Sequence, residues 1–407
     1  MAADLPHQSA TEGIADPPDG TVGAGLSPRP ARRAARGIRM RIADVPESRL
    51  IAEIDESVGR FSRQAWHMMD TELPCELDRL IIDQITAPGK RIRPVYCLYG
   101  ATHDPDVEIS DELLGVAASL ELFHSFALIH DDIMDKSETR RGRPSLHVAI
   151  RGRLSLESTS LDPESRAESL AILAGDLVLA WADWLFTEST AGFGADVKAA
   201  ARRVFDMMKM EIVTGQALDV RYERSPLLTP DITSRIVELK TARYTFVRPM
   251  QIGAALFGHE SVAFDRCREV GTHLGAAFQL NDDLLGSFLC GEESGKSSSS
   301  DIEVCKPTEL LRYMLANASD EDRGITDIIT RPGDEKLSPD EVDAVRGLML
   351  KTGAVQHVVD RIKHETRLAS RAVDTLDVPT EVKNRMHAYC NRIFASAETH
   401  ASTLAAA

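Results

Sequence analysis

From Leu122 to His147 the chain reads LFHSFALIHDDIMDKSETRRGRPSLH. A nearly continuous apolar run delivers three aspartates, Asp131, Asp132 and Asp135, and then Arg140, Arg141 and Arg143. Such a run belongs inside a protein, and as a helix it puts Asp131 and Asp135 one turn apart on one face. Three carboxylates at the end of a buried helix repel one another unless a cation sits among them. Carboxylate oxygens with an incomplete ligand set suit Mg²⁺, which keeps waters and shares its remaining positions with phosphate. The guanidinium groups downstream supply planar donors for phosphate. Acid, metal and arginine together describe a site for a diphosphate. The plain alternative is an acidic helix end entering a basic loop. The apolar run before it and the paired arginines after it weigh against that.

Residues 1–42 are rich in Pro, Gly, Ala and Arg without periodicity, and read as a disordered tail. Arg32 and Arg33 have no apolar segment behind them, so no secretory signal is expected. From Ile42 apolar positions recur at three and four through Leu50, Ile51, Ile54, Val58 and Phe61, and strand-like alternation is scarce throughout. The expectation is an all-α fold, one helical domain over residues 43–405. A hydrophobic content of 43% supplies a sizeable core. No apolar run reaches the roughly 18 residues of a membrane span without a polar break. A formal charge of −16 argues against nucleic-acid binding, and makes any anionic substrate depend on local cations. The six cysteines form no CxxC pair, so neither a disulfide framework nor a zinc site is expected, and a reducing cytoplasm fits.

Other stretches carry chemistry. After a Pro88–Gly89 turn, Lys90, Arg91 and Arg93 crowd a helix start, a candidate second anion site. His124, seven residues before Asp131, shares its face and points to ligand contact; His130 reads as structural. Residues 151–167 read as a surface loop. Gly175 and Asp176 suit a close helix contact and a polar anchor. Gln216 and Asp219 either line a cavity or bond to backbone. Lys240 and Thr241 suit phosphate. Asp282 and Asp283 end a second apolar helix, with Gln279 one turn back. Two acidic helix ends facing across a cavity would clamp metals against a departing diphosphate. The loop GEESGKSSSSDIEVCK offers Lys296 and Lys306 as parts of a lid. Beyond it, Ser338-Pro339 with Glu341 marks a helix start, and no chemistry is evident.

The motifs GKRIRP, ELFHSFALIHDDIMDKSETRRGRP, LAGDLVL, GQALD, KTARYT, FQLNDDLLG and GKSSSSDIEVCK resemble, in this order, the trans-isoprenyl diphosphate synthases (polyprenyl synthetases), actinobacterial geranylgeranyl diphosphate synthases among them. They span Gly89 to Lys306. The resemblance implies a helical bundle around a deep cavity, usually in a homodimer. It implies that Mg²⁺, three ions per site, is held by Asp131, Asp135 and Asp282, with Asp132 and Asp283 in support. Arg140, Lys240, Thr241, Gln279, Lys296 and Lys306 would hold an allylic diphosphate (dimethylallyl, geranyl or farnesyl). Lys90, Arg93, His124 and Arg141 would hold isopentenyl diphosphate. The reaction would be a 1'-4 head-to-tail condensation. Two departures stand out: Gly286 replaces the last Asp of a second DDxxD, and Cys305 stands where Gly is usual.

Chain length follows from helical geometry. Ala127 and Phe126, four and five residues before Asp131, lie about one turn deeper, roughly 5.4 Å or one isoprene unit. Phe126 is bulky enough for a floor, Ala127 leaves room beside it, and Phe123 lies a further turn down. In the family an aromatic at that fifth position resembles synthases of a C20 product, so geranylgeranyl diphosphate is expected. The alternatives are a terpene cyclase on the same fold, which needs no isopentenyl site, and a weakly active partner subunit of a heteromeric synthase.

Overall fold

The computed structural model describes residues 40–69, 73–156, 162–288, 300–333 and 335–406. Residues 1–39 of the expected tail lie outside these, as does Lys296. At the end of that tail Ile42 is wholly buried, and its N–H donates to Val107 O at 3.1 Å.

The three-and-four spacing becomes helix after helix: α1 (Glu47–Met69), α2 (Leu77–Ile85), α3 (Ile92–Ala101) and α4 (Asp111–Met134). The fold is all-α. Among the described residues the one sheet is a hairpin of β1 (Thr139–Arg140) and β2 (Arg143–Pro144). The basic stretch after the aspartates makes this hairpin, with Arg141 and Gly142 at its turn. Both have positive φ (53° and 71°), as tight two-residue hairpin loops require. Helices α5 (Leu146–Leu154) and α6 (Pro163–Thr190) follow. They take up both ends of the stretch 151–167, which is therefore not a loop throughout. Asp162 caps α6 by accepting from Ser165 N–H at 3.2 Å, and Pro163 fills its first position.

After α7 (Ala195–Tyr222) and α8 (Pro230–Ile236) the chain widens into a π-helical segment, Val237–Val247, before α9 (Arg248–Leu256). Helix α10 (Val262–Phe288) packs against that segment on one side and against α15 (Ala354–Thr375) on the other. Short helices α11 (Ser300–Glu303), α12 (Glu309–Asn317), α13 (Arg323–Ile329) and α14 (Pro339–Lys351) lead to α15, and α16 (Thr380–Ala406) closes the bundle. Ser338 and Glu341 form the capping box at the start of α14.

Helix α4 is the axis. Ser110 caps it, Asp111 and Glu112 sit in its first turn, and α6, α1 and α3 surround it. Phe123 on α4, Phe205 on α7 and Phe186 on α6 meet in the core, Phe186 stacked on Phe205 with centroids 4.4 Å apart. By length and composition α4 and α6 are both apolar enough to cross a membrane; α4 buries 72% of its apolar window inside the protein and α6 44%. The surplus on α6 and its neighbour α7 is an apolar face, with Leu173, Met207, Met210 and Val213 exposed.

Candidate active site

The last turn of α4 brings Asp131 and Asp132 to its carbonyl end, and Asp135 is the C-cap residue, its N–H donating to Asp131 O at 2.8 Å. Negative charge at a helix C-terminus opposes the macrodipole, so these carboxylates require cations. Four answer. Arg140 binds Asp132 through Nε (2.8 Å) and Nη2, and its Nη2 lies 3.7 Å from Asp131. Lys240 Nζ is 3.3 Å from Asp131 and 2.5 Å from Asp219. Lys306 Nζ is 2.5 Å from Asp135 and 3.5 Å from Asp301. Arg140, expected at a diphosphate, is thus buried and committed to Asp132, itself 1% exposed. Burial would lower the pKa of both lysines, but the carboxylates around them overcome it: Asp131 and Asp219 raise Lys240, Asp135 and Asp301 raise Lys306. Burial pushes the Asp135 pKa up; Lys306 opposes this and Asp131 adds to it.

Lys240 and Thr241 reach the site because the π segment runs very close to its neighbours. A β-carbon at Gly215 on α7 would come within 2.5 Å of Lys240 N, and one at Gly275 on α10 within 2.3 Å of Ala242 Cα. Only glycine permits both approaches. A π-helical turn also rotates side chains out of α register, and such turns concentrate at functional sites. From it Thr241 Oγ1 donates to Gln279 Oε1 (2.5 Å), and Gln279 Nε2 donates to Asp283 Oδ1 (2.7 Å).

Asp282 and Asp283 do not end α10, which runs on to Phe288. Asp282 is exposed; Asp283 is 6% exposed and faces inward. Burial, then the charge of Asp301, raises the Asp283 pKa well above the carboxylate range, and the Gln279 hydrogen bond does not offset it. Among the described residues no three His, Cys, Asp or Glu side chains converge on one point as ready metal ligands. Asp131 and Asp135 turn to ammonium groups instead. The donor set nonetheless fits a hard divalent cation: it is all oxygen, and on α4 it is already gathered around positive charge.

A basic side lies behind α4. Arg91, grouped by sequence with the anion-binding cations, is spent internally on Asp55 (2.6 Å), Glu121 (2.5 Å) and Ala87 O (2.7 Å). Lys90 is exposed. Arg93 lies 4.0 Å over the Tyr244 ring and donates to Thr245 Oγ1 at 2.8 Å. His124 Nδ1 meets Tyr244 OH at 3.0 Å; burial and then Arg93, Arg141 and Arg140 lower its pKa well below normal, so the imidazole is neutral. Arg141 donates to Ala87 O (3.1 Å) and lies against Gly89, where a β-carbon would fall 3.0 Å from its guanidinium. Sequence reasoning left Asp219 undecided and passed over Glu121 and Tyr244. The structure makes Asp219 a partner of Lys240, Glu121 an anchor for Arg91 and Arg141, and Tyr244 the contact between Arg93 and His124. A glutamate inside an otherwise apolar helix was the available signal for Glu121.

Beside Asp135 a cavity of about 150 Å³ is lined by Met134, Asp135, Asp219, Glu223 and Lys306. On the other flank of α4, Phe126 is half-buried, with its ring 4.8 Å from His130 and 5.4 Å from Phe123. Ala127 is half-buried and Phe123 wholly buried. His130 is structural: it meets Ile172 O at 3.0 Å and fills the space that Gly175 leaves on α6.

A sequence family described as polyprenyl synthetase matches residues 76–346. A short chain isoprenyl diphosphate synthase of Methanothermobacter thermautotrophicus is 32% identical over 296 residues, covering 72% of this chain and 82% of that protein. A geranylfarnesyl diphosphate synthase of Aeropyrum pernix is 31% identical over 291 residues, 71% of this chain and 84% of that one. A crystal structure of geranylgeranyl pyrophosphate synthase from Corynebacterium glutamicum, complexed with isoprenyl diphosphate and magnesium, superimposes with a TM-score of 0.80 at 31% identity. It covers 86% of this chain and 100% of that one.

Proposed function

The chain belongs to the polyprenyl synthetase family and is a trans-prenyltransferase, and on that premise we propose that it condenses isopentenyl diphosphate with an allylic diphosphate to give geranylgeranyl diphosphate. The observation that carries the reading is the gathering of Asp131 and Asp135 around the ammonium groups of Lys240 and Lys306. This is a site with balanced charge but exchangeable partners. Asp131, Asp135 and Asp282 are the proposed Mg²⁺ holders, with Asp132 and Asp283 behind them. When bound, the metal neutralises charge growing on the leaving diphosphate. Lys240, Thr241, Gln279 and Lys306 orient the allylic diphosphate, the lysines moving from carboxylate to phosphate oxygens. Arg140 holds Asp132 in place and adds positive field at the leaving group.

Lys90, Arg93, His124 and Arg141 form the proposed isopentenyl diphosphate site. The neutral His124 offers a ring N–H or a lone pair beside the Tyr244 hydroxyl. The apolar walls of α4 exclude water from the carbocation that departure of diphosphate leaves. The proton lost after carbon–carbon bond formation passes to the departing diphosphate. Phe126, backed by His130 and Phe123, is the proposed floor for the growing prenyl chain. A second copy of the chain is the proposed cover for the apolar face of α6 and α7. The cytoplasm is the proposed setting, since the cysteines whose side chains are described (Cys97, Cys267, Cys305 and Cys390) are all free and buried.

The test is incubation of the purified protein with Mg²⁺, radiolabelled isopentenyl diphosphate and each of dimethylallyl, geranyl and farnesyl diphosphate, followed by dephosphorylation and sizing. A C20 alcohol is expected. A longer alcohol discards the Phe126 floor alone. A hydrocarbon formed without isopentenyl diphosphate moves the protein to the cyclases, and no product at all points to a partner-dependent subunit.

A further inference from the structure

A π-helix is rare and mostly a single turn in proteins, so the 11 residues of Val237–Val247 need something to hold them. At the end of the segment Arg248 N–H donates to Arg243 O, the i→i+5 bond of a π-helix. Charge follows the same spacing. Glu238, Arg243 and Arg248 succeed one another at intervals of five, and Arg243 Nη2 donates to Glu238 Oε1 at 2.5 Å. From α7, Glu211 meets both arginines at once. Its Oε1 accepts from Arg243 Nη1 (2.6 Å) and Arg248 Nη2 (2.6 Å), and its Oε2 from Arg248 Nε (2.8 Å). Gln251 braces Arg248 by accepting from its Nη1 at 2.8 Å. The Glu211 and Arg248 side chains are nearly buried, at 11% and 12% exposure. Glu211, Gly215 and Asp219 lie four apart on one face of α7. All three meet the segment: at Arg243, at the Lys240 backbone and at the Lys240 ammonium.

In an α-helix of about 3.6 residues per turn, positions five apart point about 140° away from each other. Arg243 and Arg248 could not then share one carboxylate. In the π register they are neighbours across one turn. We infer that Glu211 holds this register and so acts as a positioning residue for both substrate sites. From the segment Lys240 and Thr241 serve the proposed allylic site, through their contacts with Asp219 and Gln279. Tyr244 and Thr245, from the same segment, contact His124 and Arg93 of the proposed isopentenyl diphosphate site. A relaxation of the register displaces all four. Without the carboxylate the two guanidinium groups repel each other beside a buried face, which drives that relaxation. The inference rests on the proposed function for the roles of Lys240 and Tyr244, and adds to it a residue that touches neither substrate.

The experiment compares E211Q, R243Q, K240A and D206N in the full chain. Asp206 also lies on α7, but it pairs with Arg202 and Lys209, whose other partner is Asp183 on α6. KM is measured with Mg²⁺ for farnesyl diphosphate and for isopentenyl diphosphate. Hydrogen exchange of peptides covering 237–250, read by mass spectrometry, follows the segment without turnover. E211Q is expected to raise both KM values about fivefold and to speed that exchange about tenfold. R243Q should do the same to a smaller extent. K240A should raise KM for farnesyl diphosphate alone, and D206N should change none of these readouts. The inference is overturned if E211Q leaves the exchange unchanged, if it speeds exchange and moves neither KM, as a merely structural residue would, or if it raises KM for farnesyl diphosphate alone, as K240A does. If K240A leaves that KM unchanged, the reading of Lys240 fails. Exchange and KM for isopentenyl diphosphate in E211Q then still decide whether Glu211 holds the segment. Should E211Q not fold, R243Q carries the same comparison.

Discussion

The two acidic regions, at the end of α4 and within the last turns of α10, look alike as sequence and differ as chemistry. On α4 each aspartate faces a cation: Asp131 has Lys240, Asp132 has Arg140 and Asp135 has Lys306. On α10, Asp283 faces the neutral amide of Gln279, and its nearest charged influence is another carboxylate, Asp301. Asp282 is exposed. The first region is therefore neutralised by the protein itself and preformed. Among the described residues the second has no ion pair to either acid. A cation arriving from solution gains least by entering the first alone and most by bridging the two, since among the described residues no cation pairs with Asp283.

The largest expected effect breaks that comparison if it fails. Asp135→Asn removes a charge whose partner, Lys306, is nearly buried, and leaves that ammonium with Asp301 at 3.5 Å and the more distant Asp131 and Asp219. Steady-state assays of the condensation should show kcat falling roughly 10²–10³-fold, the scale of losing one preorganised electrostatic group at a reacting centre. Asp282→Asn, on the exposed side, should cost about tenfold or less. Equal losses at both would mean that the two regions do the same work, and the contrast drawn from their partners would not stand.

A second test sharpens the comparison along α4. One flank of that helix ends in charge, and the flank bearing Phe126 is apolar. Its ring centroid lies 4.8 Å from that of His130 and 5.4 Å from that of Phe123. Phe126→Ala should lengthen the product by one or more isoprene units while KM for isopentenyl diphosphate stays within about twofold, as expected of a residue remote from the diphosphates. Chromatography of the dephosphorylated alcohols reads it directly. An unchanged distribution would make Phe126 ordinary core.

Much of this was legible before any coordinates. The apolar run into Asp131, Asp132 and Asp135 predicts a buried helix with an acidic end, because hydropathy and spacing are local properties. Partnership is not local. Lys240 lies 109 positions from Asp131, and nothing in KTAR says that its π-helical turn, admitted by Gly215 and Gly275, will aim it at that carboxylate. Arg91 and Arg93 are neighbours in GKRIRP with opposite fates: one is consumed by Asp55 and Glu121, the other stands over Tyr244. Charge count cannot separate them, since the deciding acids come from α1 and α4. The helix start at Asp162-Pro163 was legible and passed over, because the polar composition around it outweighed the capping pair.

The smallest expected effect asks whether the second region is strained without metal. The Asp283 pKa is raised, and an acid whose folded pKa lies above its unfolded value of 3.8 contributes stability that is complete below the unfolded pKa. That contribution is lost as pH rises through the folded pKa. Asp283→Asn keeps the carbonyl oxygen that accepts from Gln279 and cannot ionise. In metal-free protein the variant should match the wild type near pH 4 and exceed it in stability at pH 8. Melting curves across that range in chelator measure it. Adding Mg²⁺ and inorganic pyrophosphate should reverse the order at pH 8, because a cation near Asp283 favours the ionised form that the variant lacks. A variant that is no more stable at pH 8 than at pH 4 would mean that Asp283 is compensated after all. The two acidic regions would then differ in geometry and not in charge.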